Sequence, residues 1–367
     1  MMPTHPKMLL LILVAWFWLT AVRAHEISEK WSLGGVLSAA VQCQSLTGNS
    51  EANDTCKAAV PFQPELTYRP GTHDRLYLKL GFAKGNGLND VTPFNLSSWG
   101  ADLEDDVKNI NGSGRDYLLE AWYEHAVNMG RRNRLGLTLG IIDASRYLDQ
   151  NAFANDEYIQ FMNPALSNAP NTFFPAYEPG IAAEWHLDQW IFSAVLMKAH
   201  QIAVSEKYDF YGLQASYRLE TKIGTGNYRV LINGNRDFVD EESGGKQDND
   251  TLLISLDQQL GKKIGLFTRM GWRLDDEVIN YRAIYSGGMD IRGATWGRVL
   301  DNIGVAAVYL EGGDSITVNT RIAELYYRLV INPYIAFTPN IQYMQDRYFS
   351  SPETRGFIYS LRMTVNL

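Results

Sequence analysis

The sequence predicts an all-β protein, a transmembrane antiparallel β-barrel of about 16 strands with long loops on one rim. Segments with strict two-residue alternation of apolar and polar side chains recur from residue 33 to the C-terminus. The connections between these segments alternate between short turns and long loops. The chain is also rich in Tyr (20), Phe (15) and Gly (31), a composition typical of strands and turns.

The C-terminal segment GFIYSLRMTVNL shows the alternation most clearly. Odd-numbered positions from Phe357 to Leu367 are all apolar, whereas most even-numbered positions are polar. Such a strict period of two predicts a strand with one apolar face. The segment RDYLLEAWYEHAV has an apolar face made of Tyr117, Leu119, Tyr123 and Val127.

Sixteen segments share this pattern and are predicted as strands. They lie near residues 33–43, 58–69, 74–84, 115–127, 134–143, 179–187, 191–199, 208–219, 226–235, 250–260, 264–274, 283–293, 301–310, 320–331, 333–345 and 356–367. Connections after even-numbered strands are short, as in RPGTHD and NMGRRN. Long connections follow odd-numbered strands, at residues 44–57, 85–114, 144–178 and 236–249.

Short turns on one rim and long loops on the other are typical of outer-membrane barrels. Alternation alone also allows a water-soluble β-sandwich, whose apolar faces pack on each other. A sandwich gives no reason for sorting the loops by length, and sixteen strands are enough to close around an aqueous channel. The loop pattern therefore favours the barrel.

The N-terminus has the features of a secretory signal peptide. Lys7 precedes an apolar run, and small residues end the segment at Ala24. We predict a cleaved signal peptide at 1–24 and a barrel domain at 25–367; an N-terminal membrane anchor is the alternative. In an exported chain, Cys43 and Cys56 predict one disulfide, with two free thiols as the alternative.

Composition and motifs disfavour several other classes of protein. The net charge of −8 and the pI of about 5.3 argue against nucleic-acid binding. The sequence has no HExxH, GxSxG or GxxxxGK[ST] motif, and its six His are scattered. We therefore expect no enzymatic activity, no cofactor and no metal site.

Two long segments carry a resemblance to a known family. They are GFAKGNGLNDVTPFNLSSWGADLEDDVKNING (81–112) and GIIDASRYLDQNAFANDEYIQFMNPAL (140–166), and RDYLLEAWYEHAV and DNIGVAAVYLEGG fit the same pattern. The sequence resembles the carbohydrate-selective, OprB-type porins of Gram-negative bacteria over nearly all of the predicted mature chain. The resemblance implies a sixteen-stranded barrel in the outer membrane that lets monosaccharides diffuse passively into the periplasm.

The third long loop is the predicted constriction, because in general porins this loop folds into the lumen. Its polar and aromatic side chains offer donors, acceptors and ring faces to the hydroxyls and C–H surfaces of a sugar. A solvated surface loop is the alternative. The loop residues assigned to the pathway are Asp143, Arg146, Tyr147, Asn155, Asp156, Glu157 and Gln160.

The barrel wall is predicted to complete the pathway. Wall residues assigned to it are Lys79, Glu120, Trp122, Arg229, Arg269, Glu324 and Arg362. Among them Trp122 is the candidate for sugar stacking, and the cations are expected to face the loop carboxylates across a narrow gap. For each charged wall residue, an ion pair that stiffens the barrel is the alternative, and for Trp122 a position in the lipid-facing aromatic girdle is the alternative.

Three classes of function remain open. They are a sugar-selective channel, a channel of the same fold for another small polar solute, and a secreted carbohydrate-binding β-protein. The expected partners are monosaccharide solutes and outer-membrane lipid. A homo-oligomer is possible on sequence grounds, since lipid-facing and subunit-facing apolar strips look alike.

Overall fold

The structure is a computed structural model that describes residues 25–47, 54–201, 206–239, 244–275 and 281–367. The predicted signal peptide lies outside the described residues. Sixteen antiparallel strands form the barrel. Their bounds are β1 Trp31–Thr47, β2 Thr55–Tyr68, β3 Asp74–Leu80 continued by Phe82–Lys84, β4 Leu118–Asn128, β5 Asn133–Ile142, β6 Glu178–Leu187, β7 Trp190–Gln201, β8 Glu206–Thr221, β9 Gly224–Val239, β10 Lys246–Leu260, β11 Ile264–Arg273, β12 Tyr281–Arg292, β13 Asn302–Gly312, β14 Thr317–Val330, β15 Ile335–Tyr348 and β16 Thr354–Asn366.

The sheet closes on itself. Each strand pairs antiparallel with the next one in the chain, and β16 returns to pair with β1 from Arg355↔Thr47 to Asn366↔Val36. A two-residue bridge, His25–Glu26, pairs with the start of β1 and adds no strand to the ring. The predicted closed barrel of sixteen antiparallel strands is therefore confirmed.

The two faces of the wall differ as the alternation predicts. In β16, Leu361 is 53% exposed, whereas its neighbour Arg362 has no exposed surface. Val230 in β9 and Leu213 in β8 are likewise exposed beside buried polar residues. Since apolar side chains point outward along the strands, the outer face suits lipid and the inner face is polar.

One predicted face is wrong at Leu119. This residue is fully buried, although Tyr123 and Val127 of the same strand face outward as expected. The register between β3 and β4 shifts here, with Lys79 opposite Glu120 but Leu80 opposite Leu118. Such an extra residue is a β-bulge, and it turns the side chains before it to the other face.

The sorting of loops by rim holds, with two differences in length. The strands on either side of two predicted loops extend further than predicted: β1 ends at Thr47 and β2 begins at Thr55, and β9 ends at Val239 and β10 begins at Lys246. The second and third loops remain long, at 85–117 and 143–177. On the other rim, the connection at 293–301 is longer than the short turns that the sequence predicts there.

The long loops contain short helical turns. An α-helix, α1, spans Pro164–Ser167, and 3-10 turns span Ile110–Gly112, Ala144–Arg146 and Pro170–Thr172. A further 3-10 turn, Gly293–Thr295, lies on the opposite rim. Among the helices of the described segments, none has the length and apolar character needed to cross a membrane.

The two cysteines join the first hairpin. Cys43 of β1 and Cys56 of β2 are register partners, and a disulfide links them with a separation of thirteen residues. The bond therefore lies just below the first loop, at the rim that carries the long loops.

Candidate functional site

The third loop and the wall around β1–β4 enclose a cavity of about 750 Å³. This volume lies in the range of small-molecule sites. Of the residues predicted for the pathway, those that line the cavity are Lys79, Glu120, Asp143, Arg146, Asn155, Asp156 and Glu157. The remaining predicted residues lie outside its lining and have other contacts.

Arg146 is placed at the cavity by the turn that begins the third loop. Asp143 follows β5 directly and its carboxylate accepts hydrogen bonds from the Ser145 backbone N–H and hydroxyl, both at 2.8 Å. This N-cap starts the 3-10 turn that ends at Arg146. The Arg146 guanidinium then donates from Nε and Nη2 to the two carboxylate oxygens of Glu120, each at 2.7 Å. Such two-point pairing fixes the orientation of both groups.

Trp122 is covered by its neighbours and does not line the cavity. Its ring stacks on Tyr77 with centroids 4.8 Å apart, and the guanidinium of Arg75 lies 4.9 Å from the ring centroid. Its indole N–H donates to Glu120 at 3.0 Å, and only 4% of the residue is exposed. The predicted stacking platform for a sugar is instead part of the packed wall.

Arg269 attaches the third loop to the opposite wall. Its guanidinium has no exposed surface, pairs with Asp149 at 2.6 Å and donates to the carbonyl oxygens of Leu166 at 2.7 Å and Ser167 at 3.2 Å. It also donates to the Ala154 carbonyl. Every donor group of this side chain is directed at the loop, so Arg269 is an anchor and not a residue of the open passage.

Arg362 and Glu324 anchor the middle of the same loop. Arg362 donates to the carbonyl oxygens of Glu157 at 2.7 Å and Gln160 at 2.9 Å. Glu324 accepts from the backbone N–H groups of Met162 at 2.7 Å and Asn163 at 3.0 Å. Asn163 in turn caps α1, so this carboxylate supports the start of the helix.

Three further predicted residues have structural partners. Arg229 pairs with Asp257 within the wall at 2.7 Å. The Gln160 side chain braces the loop from inside, since it accepts from the backbone N–H of Asn155 at 2.7 Å. Tyr147 is 4% exposed and packs in the main hydrophobic cluster. The expected row of wall cations facing loop carboxylates across an open gap is therefore absent at Arg229, Arg269 and Arg362.

The second loop contributes residues that the sequence did not indicate. Asp102 lines the cavity and accepts a hydrogen bond from the Tyr177 hydroxyl at 2.6 Å. The same loop reaches the far wall, where the Gln342 amide donates to the Ser98 carbonyl at 2.8 Å. The length and aromatic content of segment 85–114 were the sequence features that could indicate a role of the second loop in the cavity. They did not show which of its residues point inward.

The other lining residues that were not predicted come mainly from β2 and the ends of the third loop. They include Gln63, Glu65, Ser145 and Tyr177. Glu65 is the register partner of Lys79 across β2 and β3. The alternation along β2 indicates which face of the strand Glu65 lies on, but it gives no information on the position of Glu65 along the barrel axis.

The lining is strongly acidic. Six carboxyl groups face the cavity, from Glu65, Asp102, Glu120, Asp143, Asp156 and Glu157, against the cations Lys79 and Arg146. Burial, followed by the charge of Asp156, raises the pKa of the Glu157 carboxyl above its usual range. Within the described segments, no group of three or more His, Cys, Asp and Glu side chains is arranged to hold a metal ion.

The closed sixteen-stranded barrel, its apolar outer face and its two sorted rims define the porin class of outer-membrane proteins. More particularly, residues 211–367 match the family model described as "Carbohydrate-selective porin, OprB family", which confirms the resemblance read from the sequence.

Solved structures agree on the fold. The high-pH structure of Pseudomonas putida OprB matches with a TM-score of 0.72 at 14% identity, covering 93% of this chain and 95% of that chain. A mutant of the Rh. blastica porin matches with a TM-score of 0.56 at 11% identity over 92% of this chain and 100% of that chain. An Aquifex aeolicus (strain VF5) protein described as uncharacterized is 28% identical over 265 residues, covering 71% of this chain and 75% of its own length.

Proposed function

We propose that this protein is a sugar-selective outer-membrane porin that lets monosaccharides diffuse passively into the periplasm. The observation that carries the proposal is the attachment of the third loop to inward-facing wall residues. Arg269 and Arg362, both without exposed surface, bind five backbone carbonyls and one carboxylate of the loop. A loop fixed in this way narrows the lumen to the cavity beside Lys79 and Glu120.

The chemistry of the cavity supports a sugar as the solute. Carboxylates, an amide, a guanidinium and tyrosine hydroxyls line it, and each can replace a hydrogen bond that a sugar hydroxyl makes with water. Contacts in a channel need to be weak enough for the solute to leave. A lining of many single contacts, rather than one enclosed pocket of apolar rings, meets that requirement.

The test is swelling of liposomes that contain the purified protein and no other protein. We expect glucose and other monosaccharides to enter faster than disaccharides and oligosaccharides, without ATP and without an ion gradient. Uptake that requires either energy source would contradict a passive porin. A panel in which sugars enter no faster than amino acids of equal size would favour the second candidate, a porin of the same fold for other small polar solutes.

Two features of the mature protein belong to the same proposal. We propose cleavage after Ala24, so that His25 is the first residue in the membrane, and mass spectrometry of the protein from native membranes tests it. Association into a homo-oligomer through the apolar outer face is compatible with the barrel. Cross-linking in detergent tests the oligomeric state.

A further inference from the structure

We infer that the cavity selects by charge, admitting cationic amino sugars more readily than neutral sugars and excluding anionic ones such as uronic acids and sugar phosphates. This inference rests on the proposed function and names the substrate class of the same passage. It is carried by the surplus of carboxyl groups in the lining and by the polar groups around the cavity that lack partners.

The carboxyl groups are not neutralised by the cations beside them. In the described part of the chain, Arg146 forms its ion pair with Glu120, and the other five carboxyls of the lining form no ion pair. Asp102, Asp143 and Asp156 are held by neutral donors. Asp156, for example, accepts from the backbone N–H groups of Tyr158 at 2.8 Å and Ile159 at 3.0 Å. Such hydrogen bonds fix a carboxylate in place but leave its charge available to a solute.

Lys79 shows that this environment accommodates an ammonium group. It lies between its register partners Glu65 and Glu120 on the inward face, and the charges of Asp102 and Asp143 also act on it. Its own ammonium forms no ion pair within hydrogen-bonding reach in the described residues, and lies 5.7 Å from the ring centroid of Tyr177. One cation among several carboxylates leaves the site with a net negative charge that a second ammonium would reduce.

Two polar atoms of the lining lack a hydrogen-bond partner, which favours binding of a solute over a role in a packed interior. The Tyr158 hydroxyl, on a residue that is 6% exposed, has no hydrogen-bond partner in the described structure, and neither does the Asn155 carbonyl oxygen. Both residues line the cavity beside Glu157. A buried polar group without a partner is costly, so these atoms are suited to pair with the hydroxyls of a passing sugar.

The charge of the solute then decides its passage. An ammonium in place of a sugar hydroxyl gains charge-assisted hydrogen bonds with the unpaired carboxylates. A carboxylate or phosphate at the same position is repelled by the ionised carboxylates of the lining in a confined, partly desolvated space. A neutral sugar lies between these two, because it exchanges hydrogen bonds without a net electrostatic term.

The experiment compares three sugars that share one ring but differ in charge: glucosamine, glucose and glucuronate, at neutral pH in planar bilayers and swelling assays. We expect glucosamine to block the ion current at concentrations at least about fivefold lower than glucose, and glucuronate to enter more slowly than glucose by a similar factor. Equal behaviour of the three sugars would overturn the inference. Entry of no sugar at all would instead overturn the proposed function.

Variants test which groups carry the selectivity. The double variant Asp156→Asn, Glu157→Gln should bring the glucosamine-to-glucose ratio close to one, whereas Lys79→Gln should increase it. Asp105→Asn is the matched control, because Asp105 is an exposed acid of the second loop outside the lining. Folding of each barrel is checked by circular dichroism first. Partial unfolding would not shift the glucosamine-to-glucose ratio in opposite directions in the double variant and in Lys79→Gln. A ratio that stays unchanged in both variants would contradict the inference.

Discussion

Arg269 carries the largest number of loop contacts made by a single wall residue described above. Its partner Asp149 is also fully buried. Arg269→Ala would leave that carboxylate buried without a counter-charge, and removal of one partner of a buried pair costs about 3–5 kcal/mol. We expect the third loop to detach, with faster protease cleavage inside 143–177 and a larger single-channel conductance.

The control for this variant is Arg282→Ala. Arg282 pairs with Glu311, but its side chain is 63% exposed, and exposed pairs contribute about 0–1 kcal/mol. This change should leave both protease resistance and conductance as in the wild type. An Arg269→Ala barrel whose third loop resists protease as well as the control would show that the loop is held by other contacts.

Trp122 gives a second test at the scale of a single residue. Because Tyr77 and Arg75 cover its ring, Trp122→Phe should leave sugar block of the ion current unchanged. Loss of the hydrogen bond from the indole N–H to Glu120 should lower the free energy of unfolding by about 1 kcal/mol. Urea unfolding in detergent and bilayer recordings measure the two effects. Weaker sugar block with unchanged stability would restore the stacking role that the sequence suggested.

Strands β4 and β5 approach each other closely at a glycine. Gly140 pairs with Trp122 and has φ +150°, a conformation that L side chains rarely adopt. A Cβ there would lie 2.3 Å from the Ala121 carbonyl oxygen and 2.6 Å from the Trp122 Cα. The glycine is therefore required by the local geometry of this strand pair.

We expect Gly140→Ala to lower the free energy of unfolding by at least about 1–3 kcal/mol, the usual cost of such backbone strain. Gly136→Ala is the control on the same strand. The nearest atom to a Cβ at Gly136 is the Glu124 carboxylate oxygen, the mobile end of a side chain, at 3.3 Å. Equal urea midpoints for the two variants would mean that the strands adjust without cost.

In the first hairpin, the disulfide links two strands that are already paired by the sheet. Cys43 and Cys56 are register partners, so the strand pairing closes the same loop that the disulfide closes. We expect the paired variant Cys43→Ser, Cys56→Ser to lose less than the 2–4 kcal/mol typical of a disulfide. Urea unfolding measures the loss, and mass spectrometry showing two free thiols in protein from native membranes would rule out the bond.

At the scale of the whole molecule, the acidic lumen predicts a pH-dependent ion selectivity. The pKa of Glu157 is raised, so its carboxyl stays protonated in acid and ionises only above the usual range for glutamate. The lumen therefore gains negative charge as pH rises, and preference for cations should rise with it. Reversal potentials across a KCl gradient measure this preference.

Glu157→Gln removes the titrating group and should flatten this dependence without changing its sign. The acid Glu206, at the start of β8, is exposed and does not line the cavity, so Glu206→Gln serves as the control. A wild-type reversal potential that moves toward anions as pH rises would contradict the acidic lumen as the source of selectivity.

The sixteen strands could be predicted from the sequence because a strand shows its faces in a local pattern. Side chains alternate between lipid and lumen with a period of two, so a run such as 356–367 identifies its own inward residues. The bulge at Leu119 could not be predicted, since it depends on how β3 and β4 align and not on the sequence of β4 alone.

Likewise, the sequence by itself determined that a long, acidic third loop follows β5 and that arginines lie on inward faces. Only the tertiary structure decided which charges are paired and which face the cavity. The pair Arg269–Asp149 spans 120 positions of the chain, and the contact from Arg362 to the Glu157 carbonyl spans 205. Contacts between residues so far apart depend on closure of the barrel and on the path of the loop along its wall. A local sequence pattern depends on neither barrel closure nor the path of the loop. The anchors Arg269 and Arg362 could therefore not be distinguished from the lining residue Lys79 before the fold was known.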